Sequence, residues 1–80
     1  MSKRVITSVK GLGTMIRARR KELRMSQDDL GQRIGLHQVT LSAIETGSSR
    51  ARLDTLLRIL SALDLELTLQ EKGASEQIDW

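Results

Sequence analysis

Residues 26–47 contain small polar and amide side chains whose chemistry suits the recognition of nucleic-acid bases. The side-chain amide of Gln38 can form paired hydrogen bonds with N6 and N7 of adenine, and Val39 can pack against the methyl group of thymine. His37 and Ser42 can form hydrogen bonds with bases or phosphates. Side chains of this kind read bases when they project from a helix in the major groove, so the segment predicts an exposed recognition helix.

Gln38 and His37 each have a simpler interpretation as well. Gln38 could be a solvated residue at the start of a helix, and the residues alone favour that reading. A single exposed histidine such as His37 is usually just solvated, so phosphate or base contact is no better supported than solvation.

Two short helices joined by a glycine turn would present these side chains. Ser26 is suited to cap the first of them, and Asp28 and Asp29 would lie in its first turn. Gly35 can take the left-handed conformation that ends a helix. The next helix is predicted from about Gln38 to Glu45.

Apolar spacing predicts two further helices around this pair. The first has an inward face that continues to Leu23, and the last covers about residues 53–63. Their predicted inward residues are Leu12, Ile16, Arg20 and Leu23 in the first, and Leu53, Leu56, Leu57, Leu60 and Leu63 in the last.

The apolar period changes from 3.6 to 2 after residue 64. Leu65, Leu67 and Leu69 alternate with polar residues, which predicts a half-buried strand. A lone strand leaves backbone groups unpaired, so it needs a partner, either residues 5–7 or the same strand of a second chain. We favour the second chain. The expected fold is therefore all-α, a small bundle of four to five helices with one short C-terminal β-strand paired across a dimer.

Positive charge is concentrated in the first part of the chain. The whole sequence has 13 Lys plus Arg against 10 Asp plus Glu, a net charge of +3. Eight cations precede residue 25, where Glu22 is the one acid, whereas the part from Asp64 onwards has five acids and one lysine. This distribution favours a polyanion partner for the N-terminal half.

The composition argues against several kinds of site. The chain has 80 residues, no cysteine and one histidine, so neither a metal site nor a histidine-dependent catalytic site is expected. The sequence has no nucleophile–base constellation and no glycine-rich phosphate loop, so we expect neither an enzyme nor a bound cofactor. A protein-interaction module would leave the basic first helix unexplained. Without a membrane-spanning run or a signal-peptide pattern, the expected location is the cytoplasm, with the nucleoid, and no membrane partner is expected.

The residues from 12 to 63 resemble the Xre/Cro/C1 helix-turn-helix family of DNA-binding regulators. The sequence departs from the family in three places. Arg24-Met25 stands where Gly plus an apolar residue is usual, and Gly31 stands where alanine is common. Ala51-Arg52 replaces the usual Pro-Ser helix start. The residues that carry the resemblance are Ile16, Arg20, Ser26-Gln27, Leu30, Gly31, Ile34-Gly35-Leu36, Thr40-Leu41-Ser42, Ile44-Glu45, Gly47 and Leu53-Asp54-Thr55-Leu56.

The resemblance implies roles for individual residues. Gln27 stands where the family has a residue that anchors the phosphate backbone, and Ala43 stands where a longer base-reading side chain is common. Arg20 and Glu45, both predicted to point inward, occupy the positions of a structural ion pair. Further phosphate contacts are expected from Thr40, Arg17, Lys21, Arg50 and Arg52, although about half of the cations would be solvated surface charges.

The C-terminal part resembles the HipB-type antitoxins, which repress their own operon and bind a HipA-like kinase toxin. This resemblance rests on the leucine-alternating strand and on a polar tail that ends in acid-Trp. The polar composition of residues 73–80 predicts a flexible tail after a DNA-binding and dimerisation domain over residues 1–72. The resemblance implies that Trp80 inserts into a partner. The alternatives are that Trp80 folds back on its own dimer, and that the protein is a stand-alone, phage-type repressor without a toxin.

Overall fold

Four helices make up the regular structure of the part of the chain that the computed structural model describes, residues 4–73. They are α1 (Val9–Glu22), α2 (Gln27–Ile34), α3 (Gln38–Thr46) and α4 (Leu53–Ala62). The helical bundle expected from the sequence is confirmed. Trp80 and the rest of the predicted tail after residue 73 lie outside the described residues.

Short polar side chains and glycines define the helix ends. The hydroxyl of Ser8 accepts a hydrogen bond from the backbone N–H of Gly11 at 2.9 Å and so caps α1. Ser26 and Asp29 form a reciprocal capping box at the start of α2, with both hydrogen bonds at 2.9 Å. Gly35 and Gly47 end α2 and α3 in the left-handed conformation, which glycine adopts without steric cost. The start of α2 and the ends of α2 and α3 are therefore formed by the residue types expected at helix ends.

The core is aliphatic, and all four helices contribute to it. Ile59 was missed by the sequence analysis, whereas Leu23, Leu53 and Leu57 were wrongly placed inside. Leu23 lies at the end of α1, where the helix stops, and Leu53 and Leu57 share a face of α4 that is exposed in the single chain. The buried apolar residues are Ile16, Leu30, Leu41, Ile44, Ile59, Leu60 and Leu63.

Two glycines allow the backbone to pack closely. A Cβ atom at Gly13 would overlap the backbone carbonyl of Ile44 and would lie 2.6 Å from that of Glu45. A Cβ atom at Gly31 would overlap the carbonyl oxygen of Leu36. Gly13 therefore brings α1 against the C-terminal end of α3, and Gly31 lets the turn before α3 fold back on α2.

The predicted strand is not formed within the single chain. Residues 65–71 have no regular secondary structure, and Leu65 packs against the core while the side chains of Leu67 and Leu69 are exposed. Pairing across a dimer requires a second chain, so that part of the expectation stays a prediction. None of the helices in the described region has the length and apolar character needed to cross a bilayer.

Candidate nucleic-acid interface

The outer face of α3 lines an open recess of about 530 Å³. Helical spacing brings Gln38, Ser42 and Thr46 onto this face because they are four residues apart, with Val39 and Ala43 beside them. The recess also contains Gln27 from the start of α2 and Ser48 from the loop after α3. The structure therefore brings together four of the five predicted base-reading residues, all except His37, with the predicted phosphate anchor.

Two of these residues are well placed to meet a ligand. Val39 is 81% exposed, so its methyl groups are accessible to a ligand. The side-chain amide of Gln38 is also exposed and donates a long hydrogen bond of 3.5 Å to Oε1 of Gln27. A weak contact of this length leaves the amide group free to exchange its partner for a base edge.

A buried ion pair lies directly behind this surface. Nε of Arg20 donates to Oε2 of Glu45 at 2.8 Å, and Nη2 of Arg20 donates to Oε1 at 3.1 Å. The residues are only 7% and 4% exposed. Nη1 of Arg20 also donates to the backbone carbonyl of Met25 at 2.8 Å. The pair thus joins α1, the turn after α1 and the end of α3.

Gln27 connects the ion pair to the recess. Nε2 of Gln27 donates to Oε1 of Glu45 at 3.1 Å, and Oε1 of Gln27 is the acceptor for Gln38. A continuous chain of hydrogen bonds therefore runs from Arg20 in the core to Gln38 at the surface. A buried charge is costly unless its hydrogen bonds are satisfied, and within the described residues no buried side-chain polar atom lacks a partner. The chain of bonds orients α3 relative to α1 and α2.

His37 and Thr40 lie apart from the recess. His37 is the residue before α3, where its side chain makes no capping hydrogen bond. Thr40 is two residues from Gln38, and a separation of two in a helix turns a side chain to a different face. Both residues are exposed, so each is accessible to a ligand outside the recess.

The predicted phosphate-binding cations differ in their surroundings. Arg17, Lys21 and Arg50 are exposed and form no ion pair with the described residues. Nε of Arg52 lies 3.3 Å from Oδ1 of Asp54, but both side chains are largely exposed. Such a surface pair contributes little stability, so Asp54 does not prevent Arg52 from exchanging its partner for a phosphate.

Thr46 and Ser48 are members of this surface that the sequence analysis did not identify. The hydroxyl of Thr46 donates to the backbone carbonyl of Ala43 at 3.1 Å and lies 2.9 Å from the hydroxyl of Ser48. The sequence does carry a signal for Thr46, since it follows Ser42 by four residues. It was overlooked because the helix was predicted to stop at Glu45.

A helix-turn-helix family model matches residues 16–70. The matched span includes α2, α3, α4 and the second half of α1. It therefore contains every residue that lines the recess on the outer face of α3. The chain belongs to the helix-turn-helix family. It is accordingly a member of a family of DNA-binding transcriptional regulators.

Relatives of this family share most of the chain. Antitoxin HipB of Escherichia coli (strain K12) is 32% identical over 78 residues, which cover 96% of this chain and 89% of HipB. An uncharacterised HTH-type transcriptional regulator, y4dL of Sinorhizobium fredii, is 42% identical over 57 residues, or 71% of this chain, although these make up only 29% of y4dL. The homology to HipB thus extends well beyond the helix-turn-helix unit.

The fold also matches a solved structure of HipB. A chain of the HipA-HipB-O2-O3 complex superposes with a TM-score of 0.79 at 28% sequence identity, over 88% of this chain and 99% of that chain. The agreement includes nearly the full length of the matched chain. The chain is therefore homologous to HipB in both sequence and structure.

Proposed function

We propose that this protein is a dimeric, sequence-specific repressor that binds operator DNA and serves as the antitoxin of a HipA-like kinase, repressing its own operon. The observation that carries the DNA-binding part is the Gln27–Gln38 contact at the edge of the α3 recess. It puts an amide that can pair with adenine next to a residue suited to a backbone phosphate.

Base reading is assigned to the outer face of α3. Gln38 would pair with adenine and Val39 would contact a thymine methyl group, while Ser42 would reach a neighbouring base edge. Ala43 is short and leaves space there, so fewer bases would be read at its end of the recess. His37 is assigned a phosphate or base contact at the start of the helix.

Phosphate contacts would fix this helix in the groove. Gln27 has a free side-chain N–H once Glu45 has taken the other, and it stands at the start of α2, where backbone N–H groups also favour an anion. Further contacts are assigned to Thr40, Arg17, Lys21, Arg50 and Arg52. Binding that depends on about six such contacts would weaken with salt, with a log–log slope near −5.

Dimerisation is assigned to the segment that contains Leu65, Leu67 and Leu69. Pairing this segment with its copy would satisfy backbone groups and bury apolar side chains that are exposed in the single chain. A two-fold dimer would hold its recognition helices about 34 Å apart, which matches inverted half-sites one helical turn apart. Repression would follow from covering the promoter.

The antitoxin role is supported by homology to HipB and by the matched HipA-HipB-O2-O3 complex. The sequence adds the acid-Trp end, for which we propose that Trp80 inserts into a pocket of the kinase, as aromatic anchors do at interfaces. The second candidate function is a stand-alone, phage-type repressor, in which the strand and the tail would serve only dimerisation. The helix-turn-helix unit is compatible with this function too, because DNA binding by that unit would not require a toxin.

Purification of the tagged protein from the native host, together with whatever it binds, tests the proposal. The tag is placed at the N-terminus so that Trp80 stays accessible. Bound proteins are identified by mass spectrometry and bound DNA by sequencing. A stoichiometric kinase together with DNA from the protein's own promoter is expected. DNA without a kinase would favour the stand-alone repressor, and recovery of neither would overturn both functions.

A matched deletion separates the two interactions. Removing residues 77–80 is expected to lower the amount of kinase recovered while leaving the DNA enrichment within about twofold of wild type, since a terminal anchor need not touch DNA. Unchanged kinase recovery would reject the assignment of Trp80 and leave the DNA-binding role intact.

A further inference from the structure

A polar stripe runs along one exposed face of α1. Lys10, Thr14, Arg17 and Lys21 are separated by four, three and four residues, and at 3.6 residues per turn they fall within an arc of about 60°. All four residues are exposed. The sequence predicts phosphate contacts for Arg17 and Lys21, but not for Lys10 and Thr14.

Glycine contacts place the first half of this stripe beside the recognition helix. A Cβ atom at Gly47, which follows α3, would lie 2.8 Å from Cα of Lys10. Gly13 fits against the carbonyls of Ile44 and Glu45 one turn further along α1. The start of α1 is therefore held against the C-terminal end of α3 by direct backbone packing.

An open recess of about 440 Å³ separates the stripe from α3. Lys10, Thr14 and Arg17 line one side. The opposite side includes Gln27, Ser42 and Thr46, which also line the base-reading recess. The two recesses therefore lie side by side and share these three lining residues, so a nucleic-acid strand lying along α3 would meet the stripe next.

The charges in this second recess favour an anion. Lys10 and Arg17 form no ion pair with the described residues, whereas Arg19 pairs with Glu22 and Arg20 with Glu45. The carboxylate of Glu45 lines the recess, but it is 4% exposed and its two oxygens accept from Arg20 and Gln27. Two cations without an ion-pair partner in residues 4–73 therefore line a recess whose one carboxylate already accepts from Arg20 and Gln27.

We propose that Lys10, Thr14 and Arg17 form a binding site for a backbone phosphate of the same DNA duplex that α3 reads. The ammonium and guanidinium groups would supply the charge, and the Thr14 hydroxyl would donate a hydrogen bond to a non-bridging phosphate oxygen. The inference rests on the proposed DNA-binding function. It adds Lys10 and Thr14 to the phosphate contact already assigned to Arg17, and so extends the interface to the start of α1.

The salt dependence of binding to a duplex selected by the wild-type protein from a random-sequence library tests the site. Neutralising a phosphate contact reduces the slope of log K against log salt by about 0.9, so Lys10→Gln should reduce it by about 0.9 for each bound protomer. The matched control is Arg33→Gln, which removes an exposed charge from the end of α2 that lines neither recess. The control should leave the slope near the wild-type value.

Methylphosphonate substitution of single phosphates locates the contact. One neutralised phosphate in each half-site should weaken binding by wild-type protein and by Arg33→Gln, and should weaken binding by Lys10→Gln by a clearly smaller factor, because only the Arg17 and Thr14 contacts remain to be lost. Equal slopes for Lys10→Gln and Arg33→Gln, or no such coupled phosphate, would overturn the α1 site while wild-type binding stands. Failure of wild-type protein to select any duplex would instead overturn the proposed function.

Discussion

The part of the molecule from α1 to α3 and the part from α4 onwards are held together in different ways. The first is fixed by specific polar contacts, among them the Arg20–Glu45 pair, the Ser26–Asp29 capping box and the backbone fit at Gly13. The described residues of the second form no buried ion pair and no side-chain helix cap, and four leucines are exposed there, Leu53, Leu57, Leu67 and Leu69, whereas Leu23 is the one exposed leucine of the first.

This difference separates orientation from association. A recognition helix needs a fixed angle to its neighbours because base contacts tolerate little displacement, and directional bonds supply that angle within one chain. Apolar surface is not directional, but its burial can supply the free energy of assembly. The polar contacts that orient α3 are thus all made within one chain, whereas the exposed leucines of the α4 region offer apolar surface that a second chain could bury.

Glu45→Ala should have the largest effect because it removes one member of a buried pair and leaves the other charged. We expect a loss of about 3–5 kcal/mol in the free energy of unfolding, measured by urea denaturation. DNA affinity should also fall, because Gln27 loses the acceptor that holds it beside Gln38. Retention of both wild-type stability and wild-type affinity would contradict the orienting role.

Two further variants make this result interpretable. Glu22→Ala breaks a more exposed pair with Arg19, whose atoms are 3.4 Å apart, and should change stability by less than about 1 kcal/mol. Glu45→Gln keeps an acceptor for Gln27 and serves if the alanine variant does not fold. We expect Glu45→Gln to be clearly less stable than wild type, because Arg20 loses its charged partner, but to bind DNA with an affinity closer to the wild-type value, because Gln27 keeps an acceptor.

Features that depend on local chemistry could be predicted from the sequence. Ser26 with Asp29, and Gly35, define α2 because a short polar side chain caps a helix and glycine takes positive φ easily. The face of α3 follows from the spacing of Gln38 and Ser42. Arg24 illustrates the reverse: it has a φ of 58°, so the turn keeps the left-handed conformation although the family's usual glycine is absent.

Features that depend on tertiary approach could not be predicted. Gly13 weakens a helix when considered locally, and only the crossing of α1 over the carbonyls of Ile44 and Glu45 explains it. Leu53, Leu57 and Ile59 are all apolar and helical, so their spacing could not tell which of them faces the chain's own core. That choice depends on how α4 packs against the other helices.

The second prediction concerns the α4 side of the comparison. Leu69 is 93% exposed, so Leu69→Ser should leave the unfolding of the monomer nearly unchanged. If the segment pairs across a dimer, the substitution should raise the dimer dissociation constant at least about tenfold, since burying a leucine contributes roughly 1.5–3 kcal/mol. Sedimentation equilibrium measures this change.

Gln70→Ser is the matched control for Leu69→Ser, because position 70 would face the opposite side of the predicted strand. It should leave the dimer dissociation constant near wild type. An equal effect of the two substitutions would contradict pairing through the leucine face, and no effect of either would exclude this segment from the dimer interface.

The smallest expected effect is a pH dependence within the capping box of α2. The backbone N–H of Ser26 donates to Asp29 and, with the Ser26 hydroxyl, holds the pKa of that carboxyl below its usual value. Because the folded-state pKa is lowered, the stabilisation is present above the unfolded value of about 3.9 and is lost as the pH falls through the folded pKa.

Asp29→Asn should therefore lower stability near neutral pH, and its difference from wild type should disappear in acid once Asp29 is protonated. Asp28→Asn is the control, since it removes a charge from the same first turn but leaves the Ser26–Asp29 bonds in place. Urea denaturation at several pH values, together with an NMR titration of the Asp29 carboxyl, measures both effects. If Asp28→Asn gave the same pH profile, negative charge in the first turn rather than the capping box would account for the stabilisation. A pH-independent difference for Asp29→Asn would show that the stabilisation does not depend on the carboxylate. Either result would weaken the view that directional bonds position the α1–α3 region.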